Sequence, residues 1–133
     1  MLQRGLVLIL IVSLLAMTAC TDAEPQSLEE LYLEAGIQTA DKITIQDGST
    51  GYSKTLVDKE EMDGFLASID DIMFIPEADQ EKREGWRYSV SLFDGEEAFN
   101  FTLNEIEGTY YYTEPDIFPI VDRYYKELEL SEQ

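Results

Sequence analysis

Histidine is absent from this 133-residue chain, and cysteine occurs only once, at Cys20. Histidine is the commonest general base and the commonest metal ligand in proteins, and it is the usual partner of a nucleophilic serine or cysteine. Its absence excludes enzymes of the Ser–His–Asp and Cys–His classes and argues against ordinary zinc or copper sites. A lone cysteine also excludes a disulfide within the chain, so packing must stabilise the fold.

Basic residues are scarce as well. The chain has 9 Lys and Arg against 28 Asp and Glu, which gives a formal net charge of −19 at pH 7. A field of this sign repels polyanions, so we expect no nucleic-acid partner. A strongly acidic surface keeps a domain soluble, and it attracts cations or basic peptides.

The N-terminal residues have the organisation of a secretory signal. One cation, Arg4, precedes an apolar run over residues 6–17, and the small residues Thr18 and Ala19 precede Cys20. A short charged region, an apolar core and small residues at the cut are the parts of such a signal. The run is shorter than the roughly 20 apolar residues that a membrane span needs. An ordinary signal peptide with a coincidental cysteine and a plain transmembrane anchor are the alternatives.

Residues 15–20, Leu-Ala-Met-Thr-Ala-Cys, resemble the lipobox of bacterial lipoproteins. The resemblance implies a diacylglycerol on the Cys20 thiol and cleavage between Ala19 and Cys20. Cleavage removes Arg4 and no acidic residue, so the net charge becomes −20. In size and layout the chain is similar to small lipoproteins of Gram-positive bacteria that have no assigned activity. This resemblance implies an extracytoplasmic domain anchored to the cell membrane by lipid.

The remaining sequence predicts three regions: a signal peptide over 1–19, a tether and short helix over 20–36, and one α+β domain over 37–133. Ser27 and Glu30 form a capping box for the short helix, and Asp58 and Glu61 form a second one. Apolar residues at helical spacing then predict a helix between Asp58 and the helix-breaking Pro76.

Strand signals fill the rest. Residues 42–46 and 52–57 alternate around turn residues and predict a hairpin, and Asp94-Gly95 joins two alternating runs that begin at Trp86 and Ala98. Residues 109–113 complete a three-stranded meander, and a C-terminal helix follows to about residue 129. We therefore predict an antiparallel sheet of about five strands with the two longer helices packed on one face.

Aromatic residues concentrate in the last third of the chain. Strand alternation places Tyr110 and Tyr112 on one face and Tyr111 on the other, so the three cannot all lie in one core. With Trp86, they form the predicted binding surface for a protein, a peptide or an envelope polymer. The alternative is that tyrosine simply suits half-buried strand positions.

The composition therefore favours a membrane-tethered, non-catalytic binding module without cofactor, metal site or catalytic residues. The alternative is a carboxylate-based hydrolase or a cation-dependent envelope factor, because carboxylates are the main reactive groups left. A paired-carboxylate hydrolase needs two acids across a cleft, and the predicted elements offer no obvious cleft.

Overall fold

A computed structural model describes residues 24–82 and 85–131. Its α+β fold confirms the predicted class. The helices are α1 (Leu28–Glu34), α2 (Lys59–Ile69) and α3 (Phe118–Ser131). The strands are β1 (Gln26–Ser27), β2 (Lys42–Asp47), β3 (Ser53–Leu56), β4 (Met73–Pro76), β5 (Tyr88–Asp94), β6 (Glu97–Thr102), β7 (Glu105–Ile106) and β8 (Thr109–Glu114).

The strands form two antiparallel four-stranded sheets, not the predicted single sheet of about five. One sheet has the order β3-β2-β5-β6 and the other β1-β4-β8-β7. The difference arises from β4, because Met73 continues the helical spacing of α2 whereas the helix ends at Ile69. β8 pairs with β4, with Ile75 opposite Tyr112, and the predicted meander is thereby divided between the sheets.

The predicted helix caps are confirmed. The backbone N–H of Glu30 donates to Ser27 Oγ at 3.2 Å, and that of Glu61 donates to Asp58 Oδ1 at 3.1 Å. Each bond satisfies an amide that has no partner within its own helix. α1 is followed by Gly36 at a φ of +94°, a backbone conformation that favours glycine.

One apolar core joins both sheets and the helices. Phe74 of β4 meets Phe101 of β6 edge-on, with ring centroids 5.9 Å apart, and so links the two sheets. Helix α3 packs on its neighbours through two tyrosine rings. The centroid of the Tyr124 ring lies 5.2 Å from that of Phe65 in α2, and the centroid of the Tyr125 ring lies 5.3 Å from that of Tyr88 in β5. The buried residues of this core are Leu28, Tyr32, Ile37, Ile43, Ile45, Leu56, Met62, Phe65, Ile69, Ile72, Phe74, Tyr88, Val90, Leu92, Phe99, Phe101, Ile106, Tyr111, Ile117, Val121 and Tyr125.

The core begins earlier than the predicted domain start at residue 37. Leu28 of α1 is fully buried, and β1 pairs with β4 through Gln26 opposite Phe74. The short helix is therefore part of the folded unit. A chain that starts at Thr21 contains the whole of this core, because its first buried residue is Leu28.

Candidate binding cleft

A cleft of about 740 Å³ opens where β8, the start of β5 and the start of α3 come together. Its volume lies within the range typical of ligand sites, about 300–1,000 Å³. We call it the aromatic cleft. Its lining residues are Glu77, Gly85, Trp86, Arg87, Leu103, Asn104, Tyr111, Tyr112, Thr113, Asp116 and Phe118. The expectation that the fold would offer no cleft is therefore wrong.

Trp86 lies just before β5, and the β2–β3 turn fixes its position. The backbone N–H of Gly48 donates to the Arg87 carbonyl at 2.8 Å. A Cβ on Gly48 would lie 2.0 Å from the Trp86 carbonyl oxygen and 2.8 Å from its ring. Only glycine permits this approach. Trp86 keeps 40% of its surface exposed, so its ring is available at the cleft.

The tyrosine triplet divides differently from the predicted pattern. Tyr110 and Tyr111 are buried at 6% and 8% exposure, whereas Tyr112 is 46% exposed. Tyr111 packs edge-on against Phe74, with ring centroids 5.9 Å apart. Tyr110 does not line the aromatic cleft but lines a smaller crevice of about 60 Å³ with Trp86. Of the four predicted contact residues, Trp86, Tyr111 and Tyr112 therefore meet in the cleft and Tyr110 does not.

Charged groups sit among these rings. Glu77 and Asp116 contribute carboxylates to the lining, and Arg87 contributes a guanidinium. The Arg87 Cζ lies 4.7 Å from the centroid of the Phe118 ring, a cation–π geometry. Asp116 Oδ1 accepts the backbone N–H of Phe118 at 3.1 Å, at the start of α3.

An ion-paired carboxylate holds α3 against β5 beside the cleft. The Tyr88 hydroxyl donates to Asp122 Oδ1 at 2.6 Å, and Lys126 Nζ lies 2.9 Å from Asp122 Oδ2. The Tyr88 hydrogen bond, and then that of Lys126, hold the pKa of Asp122 below its usual value. Burial, followed by the bond to Asp122, raises the pKa of Tyr88. Because Tyr88 belongs to β5 and Asp122 to α3, their hydrogen bond stabilises the packing of α3 on β5 beside the cleft.

The segment after β4 is fastened to β8 by one side chain. Gln80 Nε2 donates to the Tyr110 carbonyl at 2.9 Å and to the Glu77 carbonyl at 2.7 Å. Gln80 Oε1 accepts the Tyr110 N–H at 2.8 Å. The side-chain amide of Gln80 thus pairs with the Tyr110 backbone as a residue of a neighbouring strand would. Through its bond to the Glu77 carbonyl, it also holds the backbone of Glu77 at the cleft.

Sequence reasoning missed most of the polar lining. Glu77 and Asp116 lie in polar stretches without a recognisable motif, and Arg87 lies at a polar position of an alternating run, which by itself indicates no site. The adjacent acids Asp70 and Asp71 do not line the cleft. Asp70 Oδ1 instead accepts the Tyr32 hydroxyl at 2.8 Å, and burial is the main cause of its raised pKa.

The predicted lipid site, Cys20 with the cut after Ala19, lies outside the described residues. Within residues 24–82 and 85–131, no group of three or more Asp or Glu side chains is placed to hold a metal ion. No helix in that part of the chain has both the length and the apolar character to cross a membrane. Comparisons with protein-family models, curated proteins and solved structures gave no match.

Proposed function

We propose that this protein is an extracytoplasmic lipoprotein, tethered to the cell membrane through Cys20, and that it acts as a non-catalytic binding module. The aromatic cleft carries the proposal. Trp86 and Tyr112 expose their rings in a cavity of ligand size, although aromatic surface is costly to leave in water. Exposed rings of this kind are typical of recognition surfaces.

The polar groups of the lining support recognition of a shaped, partly polar ligand. Asn104 and Thr113 offer an amide and a hydroxyl beside the charged side chains. Binding sites combine apolar walls with a few polar groups that set orientation and specificity. A peptide or an envelope polymer presents both kinds of group.

A retention experiment tests the cleft. The chain from Thr21 onward is immobilised and exposed to envelope fractions, and retained material is compared with that held by Tyr112→Ala. Tyr52→Ala is the matched control, because Tyr52 is 70% exposed and lies outside the cleft. We expect Tyr112→Ala to reduce retention and Tyr52→Ala to preserve it. Equal retention by both variants would show that the cleft is not the recognition surface.

The anchor has a separate test. Cells that express the chain are labelled with a radioactive fatty acid, and Cys20→Ser is compared with the unchanged protein. We expect the substitution to abolish labelling and to leave uncleaved or released protein. Labelling that persists in the variant contradicts the proposed lipid attachment.

A second candidate, the carboxylate hydrolase, is favoured by one observation. Glu77 and Asp116 both line the cleft, and paired carboxylates are the groups that glycoside hydrolysis uses. Envelope polysaccharide incubated with the protein would then release soluble fragments, and Glu77→Gln or Asp116→Asn would stop the release. Binding without fragments supports the binding module.

A further inference from the structure

We infer that the occupant of the aromatic cleft is a basic peptide segment, whose lysine or arginine side chain packs on the aromatic walls between Glu77 and Asp116. The inference rests on the proposed binding function and specifies its ligand. Three features support it: the charge of the lining, the arrangement of its rings and the charge of the whole chain.

The lining has an excess of negative charge. Its ionic groups are the carboxylates of Glu77 and Asp116 and the guanidinium of Arg87. Arg87 is engaged at the α3 side of the cleft, where it stacks on Phe118. Glu77 directly follows β4 and contributes its carboxylate to the lining. The local field therefore favours a cationic group on the ligand and disfavours an anionic one, such as a ligand carboxylate.

The rings suit a cation as well as an apolar stem. The faces of tryptophan and tyrosine attract ammonium and guanidinium groups, and they pack equally well on the methylene chain of lysine or arginine. Arg87 over Phe118, at 4.7 Å, shows that the chain already uses this interaction at the cleft. Trp86 and Tyr112 offer two further exposed rings in the same cavity.

Long-range electrostatics act in the same direction. The full chain carries a net charge of −19, and a surface of this charge raises the local concentration of basic peptides and speeds their association. An anionic polymer would meet the same field as a barrier. Among the ligand classes that the cleft could accept by shape, the basic peptide is the one favoured by both the local and the overall charge.

The fluorescence of Trp86 can report binding in the cleft, because Trp86 is the only tryptophan in the chain and lines the cleft. Its fluorescence is followed while the chain from Thr21 onward is titrated with tetralysine, with tetraglutamate and with an uncharged oligosaccharide. We expect saturable quenching or a spectral shift with tetralysine alone. The apparent affinity should fall as salt is raised, because salt screens the attraction.

Variants separate the cleft from the general acidity of the surface. Asp116→Asn and Glu77→Gln should each weaken tetralysine binding by about 1.5- to fivefold, the range for one ion pair that is partly exposed. Glu81→Gln removes an exposed acid outside the cleft lining and should change the affinity little. Circular dichroism checks that each variant keeps the fold.

Each outcome of these binding experiments either supports or overturns the proposed basic peptide ligand. Equal loss of affinity in all three variants means diffuse attraction and overturns it, as does an absence of any tetralysine response. Binding of the uncharged oligosaccharide that depends on Tyr112 also overturns it, but leaves the proposed binding function standing. Failure of the envelope retention experiment would instead remove the proposed function itself.

Discussion

At the scale of single residues, the contact between Gly48 and Trp86 fixes one wall of the cleft. We predict that Gly48→Ala destabilises the protein by about 1–3 kcal/mol, the cost of inserting a methyl group into filled space. The new Cβ would meet a backbone carbonyl at 2.0 Å, so Trp86 itself must move. Urea unfolding gives the stability, and the Trp86 emission spectrum reports the displaced ring.

Gly64→Ala is the matched control for that substitution. Gly64 lies inside α2, and a Cβ there has no neighbouring atom within 4 Å. Alanine in a helix interior is favoured over glycine by about 1 kcal/mol, so this variant should be more stable and its Trp86 emission unchanged. An unchanged emission spectrum in Gly48→Ala would contradict the positioning role of Gly48.

Asp122 gives a prediction for pH. Its pKa is lowered in the folded protein, so the folded state binds the proton more weakly than the unfolded state. The stabilisation is therefore complete above the unfolded value of about 3.9 and is lost as the pH falls through the folded pKa. We predict that Asp122→Asn lowers the free energy of unfolding by about 1 kcal/mol at neutral pH, typical of a hydrogen-bonded charge with partial exposure. Urea unfolding of both proteins from pH 7 to pH 3 measures the difference, which should shrink below pH 4.

The control is another lysine–aspartate pair of the same spacing. Lys59 and Asp63 of α2 lie 2.6 Å apart, with side-chain exposures of 78% and 63%. Pairs this exposed contribute little, so Asp63→Asn should change stability by less than about 0.5 kcal/mol. A difference between Asp122→Asn and the unchanged protein that stays constant across the pH range would contradict the role of the Asp122 charge.

At the scale of elements, the Gln80 side chain holds the segment after β4 against β8. We predict that Gln80→Ala destabilises the protein by about 1–2 kcal/mol, because the Tyr110 N–H loses the acceptor at 2.8 Å. Hydrogen exchange of the Tyr110 amide should accelerate, and urea unfolding gives the energy. Gln38→Ala, at an exposed loop position, is the control and should leave both measurements unchanged. Unaltered exchange at Tyr110 in Gln80→Ala would show that another contact holds the segment.

The elements also show where sequence reasoning succeeds and where it stops. Caps such as Ser27 and Asp58 and the Asp94-Gly95 turn are local chemistry, so their positions follow from a few neighbouring residues. The sequence did not predict β4, because Met73 fits an apolar helical stripe equally well. Only the pairing of this segment with β8 makes it a strand.

The cleft shows the same limit. An exposed aromatic residue among the tyrosines was predictable from alternation, and Tyr112 is that residue. That Tyr110 would be buried as well was not predictable, because it depends on the neighbouring segments that cover β8. Glu77 and Asp116 both line the cleft although they are far apart in the sequence, and β4 lies beside β8 only through tertiary pairing, which no local pattern encodes.

At the scale of the whole molecule, the excess of acidic residues predicts a response to salt. With 28 acidic and 9 basic side chains, the compact state repels itself, and salt screens that repulsion. We predict that raising NaCl from about 0.02 M to about 0.5 M increases the thermal midpoint by roughly 4 °C, equivalent to about 1 kcal/mol for a domain of this size. Differential scanning calorimetry measures the change.

A variant with fewer charges serves as the control for the salt effect. Glu60 and Glu127 lie around the groove between α2 and α3 with Glu61, where like charges converge. The double variant Glu60→Gln, Glu127→Gln should start from a higher midpoint at low salt and gain less from added NaCl. A midpoint that does not rise with salt in the unchanged protein would mean that self-repulsion contributes nothing to its stability.

Strand β1 has one more consequence for a lipidated chain. Pairing with β4 begins at Gln26, so only residues 21–25 separate the folded unit from Cys20. An extended chain covers at most about 3.5 Å per residue, which limits the linker of residues 21–25 to roughly 20 Å. This linker is shorter than the diameter of the domain, about 30 Å for a domain of this size. The protein would then search a thin layer directly above the bilayer, and any ligand that it captures must enter that layer.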